Sequence, residues 1–287
     1  MKLASFSTGS EGARIGIVLD GGVIDVAAGL PHAPRDMTVL MTDWSTWQAP
    51  LQALAARPTG LLNLESIRLL APVARPGKIF AIGLNYADHI AESNIPQPAE
   101  QVWFTKAVTA INAPHGDIEL PRVSTQLDYE AELAFVIGQR CRHVSAEEAP
   151  GVIFGYCAAN DVSVRDWQLR TSQFVIGKSF DTHCPYGPWI VTADEIGDPH
   201  TLGIRSFVNG ELRQSSNTRE LIYNCYAQVA QLSQAMTLEP GDLILTGTPG
   251  GVGLGFKPPR WLVAGDVVRV EIDRIGALEN RVEPERT

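Results

Sequence analysis

The chain has 287 residues, of which 45% are hydrophobic and 19% are charged, so it can bury a large core as one domain or two. A formal net charge of −9 without a run of Lys or Arg argues against nucleic acid or an anionic membrane as partner. The chain has no stretch of about 18 apolar residues, so the sequence predicts no membrane span. The four cysteines form neither a CxxC pair nor a zinc spacing. We therefore expect a cytoplasmic protein whose partner is a small molecule.

The first part of the chain predicts a small N-terminal α+β module. Its strands are KLASFS at 2–7, ARIGIVLD at 13–20 and GVIDVAA at 22–28, with Gly21-Gly22 as a turn signal. A helix is predicted at about 36–56. Two prolines in LLAPVARPGKIFAIG place a boundary at about 70–76, so we expect the module over 1–72 and a main domain over 73–287.

Strands dominate after the boundary, so the predicted fold class is mixed and β-rich, of the α+β type. The predicted strands are KIFAIG, VWFTK, DIELP, LDYEAELAFVIG, GVIFGYCAAN, GPWIVT, GIRSFVNGELRQ, DLILTG and DVVRVEID. Asn209-Gly210 predicts a hairpin, and Ser145 with Glu148 predicts a capping box. An apolar stripe at helical spacing predicts a packing helix within 218–236.

The strand LDYEAELAFVIG, residues 127–138, places three acids on one face. Side chains alternate along a strand, so Asp128, Glu130 and Glu132 point to the same side, and apolar residues alternate with them. Neighbouring acids on that face lie about 7 Å apart, and such close like charges destabilise a sheet unless water or a counter-charge intervenes. The pattern is compatible with a solvated outer face or with a bound divalent cation.

Asp161 is a candidate for a third carboxylate at such a cation site, because it follows the strand GVIFGYCAAN. An isolated Asp after a strand is also typical of a turn or a helix cap. Together with Glu130 and Glu132 it would form a site of oxygen ligands only. Such a site favours Mg²⁺, with Mn²⁺ or Ca²⁺ possible, and does not suit zinc.

The segment GLNYADHIAE predicts a short helix with His89 and Glu92 three residues apart, on the same face. A carboxylate beside an imidazole can fix its tautomer and stabilise its charged form, so the pair is a candidate general base. A simple surface contact is the alternative interpretation.

The glycine-rich segment TGTPGGVGLGF follows the strand DLIL directly. Its glycines do not fit GxGxxG, and the following KPPRW cannot begin the helix that a dinucleotide site requires. A tight turn is one interpretation. Backbone N–H groups with the hydroxyls of Thr246 and Thr248 could instead bind a carboxylate.

Taken together, these segments resemble the fumarylacetoacetate hydrolase superfamily. The resemblance runs from about Gly77 to Val282 and rests on GLNYADHIAE, LDYEAELAFVIG, NDVSVRDWQ, GKSFDTHCPYGPW, LEPGDLILTGTPGGVG and GDVVRVEI, in the family's order. It implies a β-sandwich or β-roll catalytic domain, commonly dimeric, with a mobile lid over the active site. The N-terminal module resembles that of the longer bacterial members.

The resemblance also implies roles for individual residues. The implied metal ligands are Glu130, Glu132 and Asp161, the implied lid dyad is His89 and Glu92, and the implied catalytic contacts to substrate are Gln168 and Lys178. Thr248 matches the position that binds the substrate carboxylate, and Gly247 and Arg165 are assigned to substrate binding beside it. Asp128 matches no ligand position, so we expect it to support the ligands.

One departure limits the implied activity. The fumarylacetoacetate hydrolases proper have a fourth metal carboxylate ahead of the histidine, and KIFAIG has none. We therefore expect a homodimeric Mg²⁺-dependent hydrolase that cleaves a C–C bond of a 2,4-diketo acid. The alternatives are a lyase, dehydratase, isomerase or decarboxylase acting on a related 2-keto acid: a 2-keto-3-deoxy sugar acid, ureidoglycolate or oxaloacetate. A non-catalytic binding protein is disfavoured by His89 and Glu92, and a nicotinamide-dependent dehydrogenase by the missing glycine fingerprint.

Overall fold

Strands form most of the regular structure in the computed structural model, which describes residues 1–9, 12–93 and 96–286. The described strands are β1 Lys2–Ser7, β2 Arg14–Leu19, β3 Gly22–Asp25, β4 Arg68–Leu70, β5 Ile79–Gly83, β6 Val102–Thr105, β7 Ile111–Asn112, β8 Ile118–Leu120, β9 Leu127–Asp128, β10 Ala131–Ile137, β11 Ile153–Asn160, β12 Ser163–Val164, β13 Cys184–Thr192, β14 Gly203–Val208, β15 Glu211–Asn217, β16 Leu243–Leu245, β17 Val267–Ile272 and β18 Gly276–Pro284. The helices are α1 Val26–Gly29, α2 Met37–Thr42, α3 Trp44–Ala56, α4 Ala87–Ser93, α5 Arg165–Gln168, α6 Ala193–Ile196 and α7 Cys225–Ala235. The predicted mixed, β-rich fold class is confirmed.

A large sheet of eleven strands forms the centre of the fold, in the order β3-β2-β1-β13-β11-β10-β16-β5-β6, with β4 beside β1 and β7 beside β13. The strands of the N-terminal module are continuous with this sheet, because β1 pairs with β13. A second sheet, in the order β15-β14-β17-β18-β8, packs against one face of the first. Helices α2 and α3 cover part of the opposite face. Among the described residues, no helix combines the length and the apolar composition that crossing a bilayer requires.

Several local predictions are confirmed, and two helices differ in extent. The Asn209-Gly210 hairpin joins β14 to β15 with both residues at positive φ. Ser145 and Glu148 form the reciprocal bonds of a capping box, at 3.0 and 3.3 Å. The helix predicted at 36–56 divides at Asp43 into α2 and α3. The helix predicted within 218–236 begins at Cys225, because the preceding Asn224 caps it.

The acidic segment at 127–138 is interrupted rather than continuous. Tyr129 and Glu130 lie between β9 and β10, where the Glu130 N–H donates to Asn160 Oδ1 at 2.9 Å. Both faces of the segment are buried, and Asp128, Glu130 and Glu132 are 0, 6 and 1% exposed. A solvated outer face is therefore wrong, because the acids point into the protein.

Strand directions explain why the candidate residues meet. Strand β11 runs antiparallel to β10, so its carboxyl end lies beside the amino end of β10. Strand β16 is antiparallel to β10 and parallel to β5, so their carboxyl ends reach the same edge. The segments that follow β5, β11 and β16 therefore converge on the acids that begin β10.

Candidate active site

Three buried carboxylates form the centre of the candidate site. Glu130 directly precedes β10, Glu132 lies near the start of β10, and Asp161 directly follows β11. One oxygen from each lies within 4.8 Å of the others, which is close enough for all three to contact one ion. The donors are oxygens only, so the site fits a hard divalent cation such as Mg²⁺ or Mn²⁺.

Basic side chains from distant segments offset the repulsion between these acids. Lys178 Nζ lies 2.7 Å from Glu130 Oε2 and 2.9 Å from Asp161 Oδ2. Arg165 Nη1 lies 2.6 Å from Glu130 Oε1, and Lys106 Nζ lies 2.6 Å from Asp161 Oδ1. All three basic groups are buried, so each ion pair is shielded from water. Lys106 was not predicted from the sequence, because it follows the partly exposed strand β6 and no nearby motif marks it as buried.

The buried charges around the cluster do not balance completely. Among the described residues, four acids are set against three basic groups: Asp128, Glu130, Glu132 and Asp161 against Lys106, Arg165 and Lys178. With all four acids ionised, one negative charge is left without a buried counter-charge, and it would repel an anionic substrate. A divalent cation would reverse the sign of this charge. The residues present therefore fit a bound metal in charge as well as in donor type.

The two glutamates of the cluster differ in how their ionised forms are stabilised. Burial raises the pKa of the Glu130 carboxyl, but Lys178 and Arg165 outweigh burial and hold this pKa at about 2. Burial, Asp161 and Glu130 together raise the pKa of Glu132 well above its usual range. Burial lowers the pKa of Lys178, but Asp161 and Glu130 outweigh it and raise this pKa, so Lys178 stays charged. Of the two glutamates, Glu132 is therefore the one whose ionised form depends more on an additional cation.

Asp128 and Gln168 both act through Arg165. Asp128 Oδ2 accepts from Arg165 Nε at 2.8 Å, and Gln168 Oε1 accepts from Arg165 Nη1 at 2.9 Å. Arg165 Nη2 is buried without a partner among the described residues. Asp128 therefore holds the arginine that contacts Glu130, which agrees with its expected supporting role.

The predicted dyad lies on helix α4, which follows β5. His89 Nδ1 lies 3.6 Å from Glu92 Oε2, which is an ion-pair contact but too long for a hydrogen bond. His89 Nδ1 is buried and has no hydrogen-bond partner among the described residues. Glu92 instead accepts from the Gly251 N–H, at 3.1 and 3.0 Å to its two oxygens. The two side chains are therefore close to each other without a hydrogen bond between them, and the Glu92 carboxylate is bound to the glycine-rich loop.

The glycine-rich loop binds carboxylates through its backbone, but they belong to the protein itself. Its N–H groups donate to four acids: Gly247 to Glu132, Gly250 to Asp88, Gly251 to Glu92, and Gly253 and Leu254 to Asp128. The N–H of Gly247, predicted to bind substrate, is therefore 2.7 Å from Glu132 Oε2. The loop joins the carboxylate cluster to the lid helix.

Thr248 and Thr246 have different surroundings. Thr246 Oγ1 donates to the Leu133 carbonyl at 2.9 Å, so it serves the sheet. Thr248 Oγ1 accepts from Gln214 Nε2 at 2.8 Å and lies one residue from the amide that binds Glu132. Gln214 is a second residue that the sequence analysis missed, and no signal in its strand distinguished it.

Comparison with known proteins agrees with this geometry. Residues 78–283 match the family model described as fumarylacetoacetate (FAA) hydrolase C-terminal. The chain belongs to the fumarylacetoacetate hydrolase family. The resemblance inferred from the sequence motifs is confirmed, and with it the expectation of a family enzyme fold.

Relatives within this family differ in the reactions that their names give. Oxaloacetate tautomerase fahd2, mitochondrial, of Xenopus laevis is 46% identical over 288 residues, covering 98% of this chain and 90% of the relative. The fumarylacetoacetate hydrolase of Exiguobacterium antarcticum is 38% identical with a TM-score of 0.85, covering 99% of this chain and 100% of that one. Maleylpyruvate hydrolase from Sphingobium sp. SYK-6, in complex with manganese(II) ion and pyruvate, is 35% identical with a TM-score of 0.85, covering 100% of both chains.

Proposed function

We propose that this protein is a divalent-metal-dependent tautomerase that interconverts the enol and keto forms of oxaloacetate. The observation that carries the proposal is the 46% identity, over 98% of the chain, to a relative named oxaloacetate tautomerase. The geometry is compatible with it, because the site combines three carboxylates, a buried lysine and a histidine on an adjacent helix. An isomerase acting on oxaloacetate was among the alternatives that the sequence left open.

In the enol-to-keto direction the C2 hydroxyl loses a proton, C3 gains one, and the double bond moves from C2=C3 to C2=O, so no atom is gained or lost overall. The reaction needs a base that serves C3 and positive charge near the C2 oxygen. His89 is the proposed base, since its buried ring atom Nδ1 has no hydrogen-bond partner among the described residues. Lys178 stays charged and would stabilise the negative charge that develops on the C2 oxygen.

Glu130, Glu132 and Asp161 are the residues that would hold Mg²⁺ or Mn²⁺, with Ca²⁺ a further candidate. A bound divalent cation would supply Lewis-acid stabilisation of negative charge on nearby substrate oxygens. Gln168 and Arg165 would contact the substrate from the side of Glu130, and Thr248 would contact its C1 carboxylate. Helix α4 would close the site from water through the contacts of Asp88 and Glu92 with the loop.

Hydrolysis of a 2,4-diketo acid is the second candidate function. It is supported by the similarity to maleylpyruvate hydrolase, at 35% identity over the whole chain. In that reaction water adds its hydroxyl to the distal acyl carbon and its proton to the departing carbon, which releases a carboxylic acid and pyruvate. His89 and Glu92 would then activate the water instead of serving C3.

One substrate panel separates the two candidates. The Mn²⁺-loaded protein is mixed with freshly dissolved enol oxaloacetate, and the loss of enol absorbance is followed against metal alone and against His89→Ala. We expect the protein to accelerate this loss on the order of 100-fold more than His89→Ala does. Acetylpyruvate is assayed in parallel for acetate release. If the protein releases acetate but does not accelerate the loss of the enol, the tautomerase proposal is wrong and the hydrolase takes its place.

A further inference from the structure

Gln214 is a fully buried residue of β15 whose amide has a single possible orientation. Its Oε1 accepts from the Ala131 N–H at 2.9 Å, and its Nε2 donates to the Pro249 carbonyl at 2.9 Å. A backbone N–H can only donate and a carbonyl can only accept. These two partners therefore determine which end of the amide is oxygen and which is nitrogen.

This orientation determines the role of the Thr248 hydroxyl. Gln214 Nε2 also lies 2.8 Å from Thr248 Oγ1, so the hydroxyl oxygen must accept there. A hydroxyl group without such a constraint can turn its one proton toward Gln214 or away from it, and so can donate or accept there. The Thr248 proton must consequently point away from Gln214, and the described residues offer it no acceptor. The Gly247 amide, one residue before Thr248, donates to Glu132 Oε2 at 2.7 Å, so the loop that carries this free donor contacts the carboxylate cluster.

We propose that Gln214 is a positioning residue that presents the Thr248 hydroxyl as a dedicated donor to a substrate carboxylate. The inference rests on the proposed function only in requiring a 2-keto acid, which both candidate reactions share. A carboxylate oxygen only accepts, so it needs a donor in place before it binds. A hydroxyl already oriented avoids the entropy loss that orienting it on binding would require.

Gln214→Glu is the variant that reverses this polarity. A glutamate keeps an acceptor for the Ala131 N–H, but its second oxygen would accept the Thr248 proton and withdraw it from the substrate. The new charge could also weaken anion binding by itself. A double-mutant cycle with Thr248→Val separates the two effects, because valine has no hydroxyl to reorient.

Oxalate binding to the Mn²⁺-loaded protein is the primary measurement, by calorimetry. We expect Gln214→Glu and Thr248→Val each to weaken oxalate binding about 10-fold or more, and Thr248→Ser to bind within about threefold of wild type. Gln214→Glu should weaken oxalate binding less in the Thr248→Val background than in the wild type, and the loss that remains there measures the effect of the new charge, including its repulsion by the Pro249 carbonyl oxygen. Mn²⁺ affinity should stay close to wild type, because Gln214 contacts none of the three carboxylates. Ser206→Ala is the matched control, since it removes one bond to Gln214 Oε1 and leaves the Nε2 side intact.

Steady-state kinetics provide a readout that a purely structural role would not produce. In Gln214→Glu the KM should rise about as much as the oxalate Kd, while kcat stays within about threefold. An equal loss of affinity with and without the Thr248 hydroxyl would overturn the proposal. Wild-type oxalate affinity in Thr248→Val would overturn it as well, even if Gln214→Glu fails to fold. If the binding pattern holds but oxaloacetate is not turned over, the proposed function fails and the role of Gln214 stands.

Discussion

The carboxylates of the metal cluster and those of the lid helix α4 are held by different kinds of partner. Glu130 and Asp161 contact buried lysine and arginine side chains. Asp88 and Glu92 on α4 contact neutral N–H groups of the glycine-rich loop. Removing one partner of a buried ion pair costs about 3–5 kcal/mol, whereas a hydrogen bond to a charged group contributes about 1.5–3 kcal/mol. The contacts of helix α4 with the loop are therefore weaker than the ion pairs within the carboxylate cluster.

Glu132 belongs to the carboxylate cluster, but like Asp88 and Glu92 it is held by a backbone N–H of the glycine-rich loop. Its hydrogen bond comes from the Gly247 amide, and none of the described lysines or arginines lies within ion-pair distance of it. Its pKa is raised where that of Glu130 is lowered. The same loop holds Glu132 at one end and Glu92 near its middle, so a movement of the loop would affect ligand and lid together.

Glu132→Gln should produce the largest effect. We expect Mn²⁺ affinity to fall on the order of 100-fold or more, because a ligand charge is lost. The melting temperature of the metal-free variant should not fall, since burial and neighbouring acids already disfavour this carboxylate in its ionised form. Calorimetric titration and thermal unfolding measure the two effects.

Glu130→Gln is the matched control for that variant. Lys178 and Arg165 would lose an ionised partner in the core, so we expect the metal-free protein to lose about 3 kcal/mol of stability. Wild-type Mn²⁺ affinity in Glu132→Gln would remove this residue from the site.

The lid dyad should show a large effect on turnover with little effect on the fold. His89→Ala, Glu92→Ala and the double variant should each lose on the order of 100-fold in kcat, because the acid acts through the imidazole. Mn²⁺ affinity and melting temperature should stay near wild type, since neither side chain contacts the cluster's ion pairs. Independent, multiplying losses in the double variant would show that the two residues do not act as a pair.

Gly251→Ala tests the loop that joins the two regions. A Cβ there would lie 2.1 Å from the Arg213 carbonyl oxygen, and the residue has a φ of +98°. We expect a loss of about 3 kcal/mol in the free energy of unfolding, measured with urea. Gly60→Ala is the control, because Gly60 also has a positive φ but has no atom within 4 Å of the added Cβ. It should lose only about 1 kcal/mol, and an equal loss in both variants would exclude the clash as the cause.

A buried histidine should make the protein less stable as the pH falls. Burial lowers the pKa of His183 from 6.5 to about 3, so the unfolded chain binds this proton first as the pH falls. The stability that His183 contributes is complete above pH 6.5 and is lost progressively toward pH 3. We expect about 2 kcal/mol less stability at pH 5 than at pH 7 from this group.

The measurement is urea unfolding at several pH values, with His183→Gln as the comparison. Glutamine can still donate to the Glu119 carbonyl that His183 contacts at 2.8 Å. The variant should lose most of this pH dependence between pH 7 and pH 5. The contribution of Glu130, whose pKa is lowered from 4.5, is lost only below that range. An unchanged slope in His183→Gln would assign the acid sensitivity to other groups.

The sequence by itself determined the features that depend on local spacing. Alternation predicted the buried strand that carries Glu132, the Asn209-Gly210 pair predicted its hairpin, and the three-residue spacing predicted that His89 and Glu92 share a helix face. The order of these motifs also indicated the family. Such features are readable because each one depends on residues a few positions apart.

Only the tertiary structure decided which partners these residues have. Lys106 contacts Asp161, 55 positions away in the sequence, and Gln214 contacts Thr248, 34 positions away. The periodicity of a helix or strand gives no information at such sequence separations. The break of the acidic segment at Tyr129 and Glu130 has the same origin, because Asn160 of β11 takes the Glu130 N–H. Charge compensation and hydrogen-bond polarity are properties of contacts between strands. They arise when the sheet brings the ends of β10, β11 and β16 together, which local sequence patterns do not specify.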